Sequence, residues 1–513
     1  MVFESFFRVG SLEDFDPTTR GLLVVVVTVA VCGWLWNLWN ESKTNRPPGP
    51  WFSLPFVGHL PYLGKDPHVK LWDLRKKYGD IIGVKFGTKY TVVLNEWNVM
   101  REVLCNSAAL DRAPNLFDHI PKVGFISENG EKWVEQRRFC LAATRDLGLG
   151  RGHWEDLIME ETADLISHLK SFQGRPMDIS HEMASSISSN IIALLIGRRL
   201  NKNVEGDKIQ LSVDFSDVSF SFMGPSNPTS VVPGLRTLCE TLSIAGYGKA
   251  MKVIREFSTF VNEEIALHKT SPMLKDVRDF MNTYLETLSK LTSSNNTKHY
   301  FSETMLEGNV KILFLGSSDT IFSSLGWLLR LMSLHKDVQQ KVYQEVMEVA
   351  GKDGRVRYEE RNKFPYTFAV VMESQRKSSI VPLSTTRRAA QDIHINGFTI
   401  PKGSEIVANL WGLHSDPKYW ENPEEFRPER FLTDGGTKLI RYPPSFAPFS
   451  TGRRNCPGET IAWMEILYYF TEILKNFEVT TPPGVKPEFE IINGLVEKLV
   501  PQPLCFIPRK DVI

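Results

Sequence analysis

Ten residues near the C-terminal end, Phe449-Ser450-Thr451-Gly452-Arg453-Arg454-Asn455-Cys456-Pro457-Gly458, constrain this chain more than any other stretch. They satisfy Phe-x-x-Gly-x-Arg-x-Cys-x-Gly, a pattern whose chance occurrence in a chain of this length is on the order of 10⁻⁴ at ordinary residue frequencies. Behind them, residues 458–477 carry a helical apolar stripe through Ala462, Ile466, Tyr469, Phe470, Ile473 and Phe477. The cysteine therefore precedes a helix and lies in the positive field at its start, which favours thiolate. Gly452 and Gly458 permit tight turns and close approach of a flat ligand, and Arg454 supplies a fixed cation beside it. The plain alternative is a core cysteine next to a glycine turn.

Composition removes other classes of function. Sixty Lys and Arg balance sixty Asp and Glu over 513 residues, which argues against a global basic field for nucleic acid and against an acidic disordered chain. Six cysteines in this length make no disulfide scaffold, and none pair as Cys-x-x-Cys. With no His-Glu-x-x-His among eleven histidines, a standard zinc site is not expected. A reduced, cytosol-facing chain fits best. The length alone would allow roughly three domains.

Residues 21–39 (GLLVVVVTVAVCGWLWNLW) carry no charge and are about long enough to cross a bilayer. Trp34, Trp36 and Trp39 stand where interfacial aromatics do, and where a cleaved signal would need small residues. Arg8 and Arg20 before the segment balance Lys43 and Arg46 after it, so charge counting leaves the orientation open. Arg46-Pro47-Pro48-Gly49-Pro50 then stops any helix and stiffens the exit from the membrane. The expected organisation is an N-terminal segment 1–20, an anchor 21–39, a proline-rich hinge 40–50 and one large domain 51–513.

Within that domain the spacing predicts a helix over 66–78 ended by Gly79, then two short strands. Helical periodicity dominates 97–350, strand-like pieces return near 384–411 with a turn at Asn396-Gly397, and 415–457 is a proline-rich irregular connection. The fold class is mainly α with a small β-sheet portion. Residues 310–334 are apolar almost all round, as in a helix through the centre of a large domain. Lys311, Asp319, Arg330 and several serines argue against a second membrane span there. Gly316-Ser317-Ser318-Asp319-Thr320 in its middle predicts a local bulge or kink.

The decapeptide resembles the haem-thiolate loop of the cytochromes P450, and the likeness extends over nearly the whole soluble chain. The resemblance implies the cytochrome P450 fold, with haem b as cofactor, Cys456 as axial iron ligand, and Phe449, Gly452, Arg454 and Gly458 around the haem. Thiolate ligation donates electron density to iron and favours O–O cleavage. Glu373-Ser374-Gln375-Arg376 matches the family's Glu-x-x-Arg and Phe426–Phe431 its following segment. Glu373, Arg376 and Arg430 are then expected to form a buried charge network bracing the loop. Trp133 and Arg137 match Trp-x-x-x-Arg, whose indole and guanidinium reach the haem propionates. Arg387 or Arg388 falls near a third propionate contact, and the register favours Arg387. Asp319 and Thr320 match the family's acid–alcohol pair that delivers protons to bound oxygen, while Ser317 replaces a usual glycine. An acid in an apolar wall is expected to be hydrated or neutral, which suits a proton carrier.

No Gly-x-Gly-x-x-Gly occurs, and Gly148-Leu149-Gly150-Arg151-Gly152 fails the spacing. Electrons are therefore expected from a partner. The segments GEKWVEQRRFCLAATRDLGLGR and VRDFMNTYL resemble the microsomal drug- and steroid-metabolising branch. That resemblance implies NADPH–cytochrome P450 reductase and a single-pass endoplasmic reticulum protein with its haem domain facing the cytosol. Lys132, Arg137, Arg138, Arg441 and Arg453 form either a basic docking face or an ordinary solvated surface. Phe215, Val218, Phe220, Phe222, Met223 and Val231-Val232-Pro233 either roof the substrate pocket or pack one helix into the core. Residues 112–126, 314–320, 380–386 and 491–496 would complete an apolar pocket for a lipophilic small molecule such as a xenobiotic, steroid or fatty acid. The implied function is a haem-thiolate monooxygenase. A P450-like isomerase or dehydratase of lipid peroxides and a non-catalytic haem sensor are the alternatives, and the Asp319-Thr320 pair speaks against both.

Overall fold

The computed structural model describes residues 45–509 except 114–119, 121–122, 148–152, 224–226, 233, 275–276, 295–297 and 441–442, together with residues 28, 32 and 33. The expected anchor 21–39, Arg441, Pro233 and the glycine run 148–152 thus lie largely or wholly outside the described residues. The expected class holds: helices dominate, and the sheets are small.

Helix α1 (Pro67–Tyr78) starts with Pro67, whose missing N–H costs nothing in a first turn, and stops where Gly79 takes φ 86°. Strands β1 (Ile81–Phe86) and β2 (Lys89–Leu94) follow as an antiparallel pair, Ile81 opposite Leu94. The proline hinge docks on this pair. The Gly83 N–H donates to the Pro48 carbonyl at 2.9 Å, and a Cβ on Gly49 would sit 1.8 Å from the Gly83 carbonyl oxygen. Only glycine allows that approach. Three short strands complete the sheet: β3 (Asp111–Arg112), β4 (Arg387–Arg388) and β5 (Glu405–Ala408), in the order β1-β2-β5-β4-β3. Segments about 275 residues apart in sequence therefore become neighbours, with Arg112 directly opposite Arg387.

The helical part is built from α2 (Gly130–Asp146), α3 (Ser180–Ile196), α4 (Gly206–Ser221), α5 (Tyr247–Thr270), α6 (Glu303–Leu334), α7 (Pro365–Ser378) and α8 (Glu459–Asn476). Helix α6 is the axle, packed by α3, α4, α5, α7 and α8. Its 32 residues are capped by Ser302, whose side chain accepts from the Met305 N–H at 3.1 Å. By length and hydropathy α6 could cross a membrane, but over half of its apolar window is buried inside the protein. Each of its buried charges has a partner: Lys311 lies 3.0 Å from Glu307, and Arg330 donates to the carbonyls of Glu488 and Val500. The expected bulge does not interrupt it, since α6 stays helical through Gly316–Thr320. There the Thr320 hydroxyl donates back to the Gly316 carbonyl at 2.8 Å, the side-chain competition the serine- and glycine-rich sequence foreshadows.

Candidate active site

The cysteine loop is held by its own backbone. The Cys456 N–H donates to the Phe449 carbonyl and the Asn455 N–H to the Gly452 carbonyl, each at 3.0 Å. Gly452 has φ 77°, and a Cβ there would meet the Leu104 carbonyl oxygen at 2.3 Å, so glycine is required for packing as much as for the turn. Gly458 departs from expectation. With φ −95° it is the N-cap of α8, and a Cβ would meet only Cys456 Sγ at 3.9 Å. Its backbone needs no glycine; its N–H favours the ionised form of the cysteine sulfur. Burial pushes the Cys456 thiol up to about 11, and the Gly458 N–H and the Arg137 charge oppose this without overcoming it. A thiol ligates a metal in its deprotonated form, so ligation by Cys456 would release its proton.

Around this loop stand four buried arginines: Arg112, Arg137, Arg387 and Arg454. Their hydrogen bonds run almost entirely to carbonyls. Arg112 Nη1 donates to Thr385 and Thr386 oxygens at 3.0 Å, Arg387 to Leu104 and Thr451 at 2.7 Å, and Arg454 to Leu110 at 2.8 Å and Glu128 at 2.6 Å. Arg137 Nη2 grips Asn455 through its carbonyl and its side chain, both at 2.8 Å. Among the described residues no carboxylate pairs with any of the four. Burial pulls Arg112 well below its usual range, and repulsion from Arg454, Arg387 and Arg137 adds to it. Arg454 falls to about 9 through burial and the same neighbours. Like charges directly opposite on adjacent strands, as Arg112 and Arg387 are, destabilise unless an anion joins them.

Two further donors point to that anion. The Arg112 Nε and the Trp133 indole N–H are buried and have no partner among the described residues. The Arg454 guanidinium lies 3.9 Å over the Trp133 ring, fixing the indole in place. A cluster of this composition fits a bound group carrying carboxylates, which the two propionates of haem supply. Arg388, by contrast, lies 3.5 Å from Asp111 and is only half-buried, so Arg387 is the member of the pair that faces inward. Arg112 was legible only as the first residue of a pocket loop. Its signal is a long-range strand pairing that no local motif announces.

One cavity gathers these parts. Cys456, Phe449, Gly458, Arg454 and Arg112 line it from one side, and Gly316, Ser317 and Thr320 of α6 from another. Phe125, Ile126, Ile380, Val381, Leu495 and Val496 supply apolar wall from the expected loops. Trp133, Arg137 and Arg387 are buried and are not part of this lining. Of the stretch 215–232, Phe220 reaches the cavity, while Phe215 stacks on Phe257 at 4.1 Å in the core, so each reading of that stretch describes part of it. Phe314 is likewise core and not cavity wall.

Asp319 is not in the cavity lining. One residue along α6 turns the side chain away from Thr320, and its Oδ1 meets Lys498 Nζ at 2.5 Å beside a second, polar cavity. The expected apolar wall is therefore a charged contact. Burial raises the Asp319 carboxyl to about 6, with Lys498 opposing the shift.

Glu373 and Arg376 form a bidentate pair at 2.8 Å, and Arg430 Nε adds a bond to Glu373 at 3.1 Å. The Arg427 N–H also donates to Glu373, and Arg376 reaches the carbonyls of His414, Pro423 and Glu425. On the proposed docking face, Arg138 and Arg453 are exposed and Lys132 pairs with Glu128 at 2.7 Å. Arg137 is buried against Asn455 and does not belong to that face.

The family model described as "Cytochrome P450" matches residues 47–506. The chain is 32% identical to cytochrome P450 2J5 of Mus musculus over 95% of this chain and 96% of that one. It is 30% identical to cytochrome P450 2U1 of Bos taurus, covering 97% and 95%. To cytochrome P450 18a1 of Drosophila melanogaster it is 29% identical, covering 93% and 88%.

Proposed function

Because the chain belongs to the cytochrome P450 family and is a haem monooxygenase, we propose that it oxygenates a lipophilic small molecule with electrons from NADPH–cytochrome P450 reductase. The observation that carries this reading is the cavity lined together by Cys456, by Gly316 and Thr320 of α6, and by Arg112 and Arg454 of the carboxylate-free arginine cluster. Bound haem supplies an iron centre at which O₂ is reduced and one oxygen atom is transferred to substrate.

The chain's own residues do the rest. Cys456 would provide the sulfur ligand of the iron, and the Gly458 N–H favours the ionised form of that sulfur. Arg112, Arg137, Arg387, Arg454 and the Trp133 N–H would hold the propionates, while Phe449 and Gly452 shape the loop. Thr320 presents its hydroxyl to the cavity, and Asp319 behind it takes a proton from the polar side. The two bring in the protons that convert the second oxygen atom to water. The apolar walls bind substrate by burial and exclude bulk water from the reacting centre.

The stoichiometry is one O₂, two electrons and two protons per molecule of substrate oxygenated. The anchor 21–39, the hinge 40–50 and the domain 51–513 would hold the protein on the endoplasmic reticulum membrane, haem domain toward the cytosol. The test is reconstitution of the holoenzyme with the reductase in vesicles, after a spectral binding screen over xenobiotics, steroids and fatty acids. Oxygenated product that requires both NADPH and the reductase is expected. Rearrangement of lipid hydroperoxides without NADPH would overturn the monooxygenase reading in favour of the isomerase.

A further inference from the structure

Lys498 belongs to no motif of the chain, yet it sits at the junction of three elements that bound the active site. It lies on a short strand, β7 (Lys498–Leu499), paired with β6 (Ile491–Ile492), just after the cavity-lining Leu495 and Val496. Its ammonium meets Asp319 of α6 at 2.5 Å and Asp217 of α4 at 2.6 Å. The two acids differ sharply in setting. The Asp319 side chain is 4% exposed and that of Asp217 is 61% exposed, so the lysine bridges the interior to the surface.

Asp319 Oδ2 is buried without a partner among the described residues, beside the polar cavity. The other charged or titratable groups on that cavity are Asp214 of α4 and, before and within α3, Asp178 and His181.

We infer that Lys498 is the positioning residue of the proton relay, holding Asp319 by one oxygen on the polar side of α6 with the other oxygen free to take up a proton. The inference rests on the reading of Asp319 and Thr320 as that relay. Water on the polar side gives a proton to Oδ2, and the hydroxide left behind is neutralised from bulk. The neutral acid no longer binds the ammonium strongly, so it can swing and pass its proton toward Thr320. The carboxylate that results returns to Lys498, which stays paired with Asp217 throughout. Burial already lifts Asp319 to about 6 against the pull of Lys498. Without the lysine the neutral form would gain further, and the acid would stay protonated at neutral pH instead of cycling.

The experiment compares Lys498→Met, Lys498→Arg and Asp319→Asn holoenzymes with the parent. Product and hydrogen peroxide formed per NADPH are followed across the neutral pH range. Each variant is first checked for an unchanged reduced carbon monoxide spectrum, which shows the haem site intact. Lys498→Met is expected to lose about tenfold in coupled product with peroxide rising, and to move the pH midpoint of coupling upward by about one unit. Lys498→Arg should restore most of both. A readout independent of turnover is acylation of Lys498 by an amine reagent, followed by mass spectrometry. The amine should be protected in the parent and several-fold more reactive in Asp319→Asn.

An unchanged pH profile in Lys498→Met beside an altered one in Asp319→Asn would overturn the role of Lys498 and leave the relay standing. Unchanged coupling in Asp319→Asn would remove the relay itself, and the inference with it. Equal reactivity of Lys498 in parent and Asp319→Asn would also contradict it.

Discussion

Arg112 states the energetics of the site in one side chain. It is buried, opposite Arg387 across two strands, within the field of Arg454 and Arg137, and keeps an unpartnered Nε. In the apoprotein this arrangement is a cost; with a dianionic group bound it becomes a clamp. The effect of Arg112→Met should therefore change sign with haem. The apoprotein gains stability in a denaturant titration, while the holoprotein releases haem to an acceptor globin roughly tenfold faster, as loss of one charge-assisted bond of about 1.5–3 kcal/mol implies. Slower release from the variant would contradict the assignment. Cys456, Arg454 and Trp133 were legible because their roles ride on short local patterns. Arg112 was not, because its partner is 275 positions away and only strand pairing brings them together. Asp319 was legible as a chemical type but not as a direction, since which face of α6 it occupies depends on where Lys498 lies.

At the scale of elements, α7 braces the cysteine loop. Glu373 accepts from Arg376, Arg430 and the Arg427 N–H, so one carboxylate fastens the helix to the irregular 415–457 connection that carries the loop. His414 continues the brace. Its Nε2 accepts from the Ala447 N–H at 3.1 Å, and its Nδ1 lies 2.7 Å from Ser379 Oγ at the end of α7. Burial holds this ring neutral, with its pKa near 3. Glu373→Gln would leave two guanidiniums buried without their anion, a loss of about 3–5 kcal/mol. Equilibrium unfolding of the holoprotein checks it, and a change under about 1 kcal/mol, the range of an exposed pair, would place the network at the surface instead. The i, i+3 spacing made Glu373 and Arg376 legible. The backbone N–H of Arg427 and the carbonyls that share the network leave no mark in sequence. The C-terminal end of α6 at Leu334 was legible from its apolar run, whereas its start at Glu303, before that run, and the unbroken helix at Gly316–Thr320 were not. Serine and glycine there weaken the helix intrinsically, and packing on the surrounding helices overrides that propensity.

For the whole molecule, the described residues are mainly helical with small sheets, and the family match over 47–506 covers nearly all of them. The equal count of charges carries no functional signal because the charges that matter are local: four arginines without acids, one buried network, one lysine between two aspartates. All converge on Cys456, and the claim that its sulfur ligates haem iron is the centre of the account. The direct measurement is the absorption spectrum of the reduced holoprotein under carbon monoxide, for the parent and for Cys456→Ser. The account predicts a strongly red-shifted, thiolate-type Soret band in the parent that is lost in the variant. A parent spectrum like that of an imidazole-ligated haem, unaltered by the substitution, would contradict it.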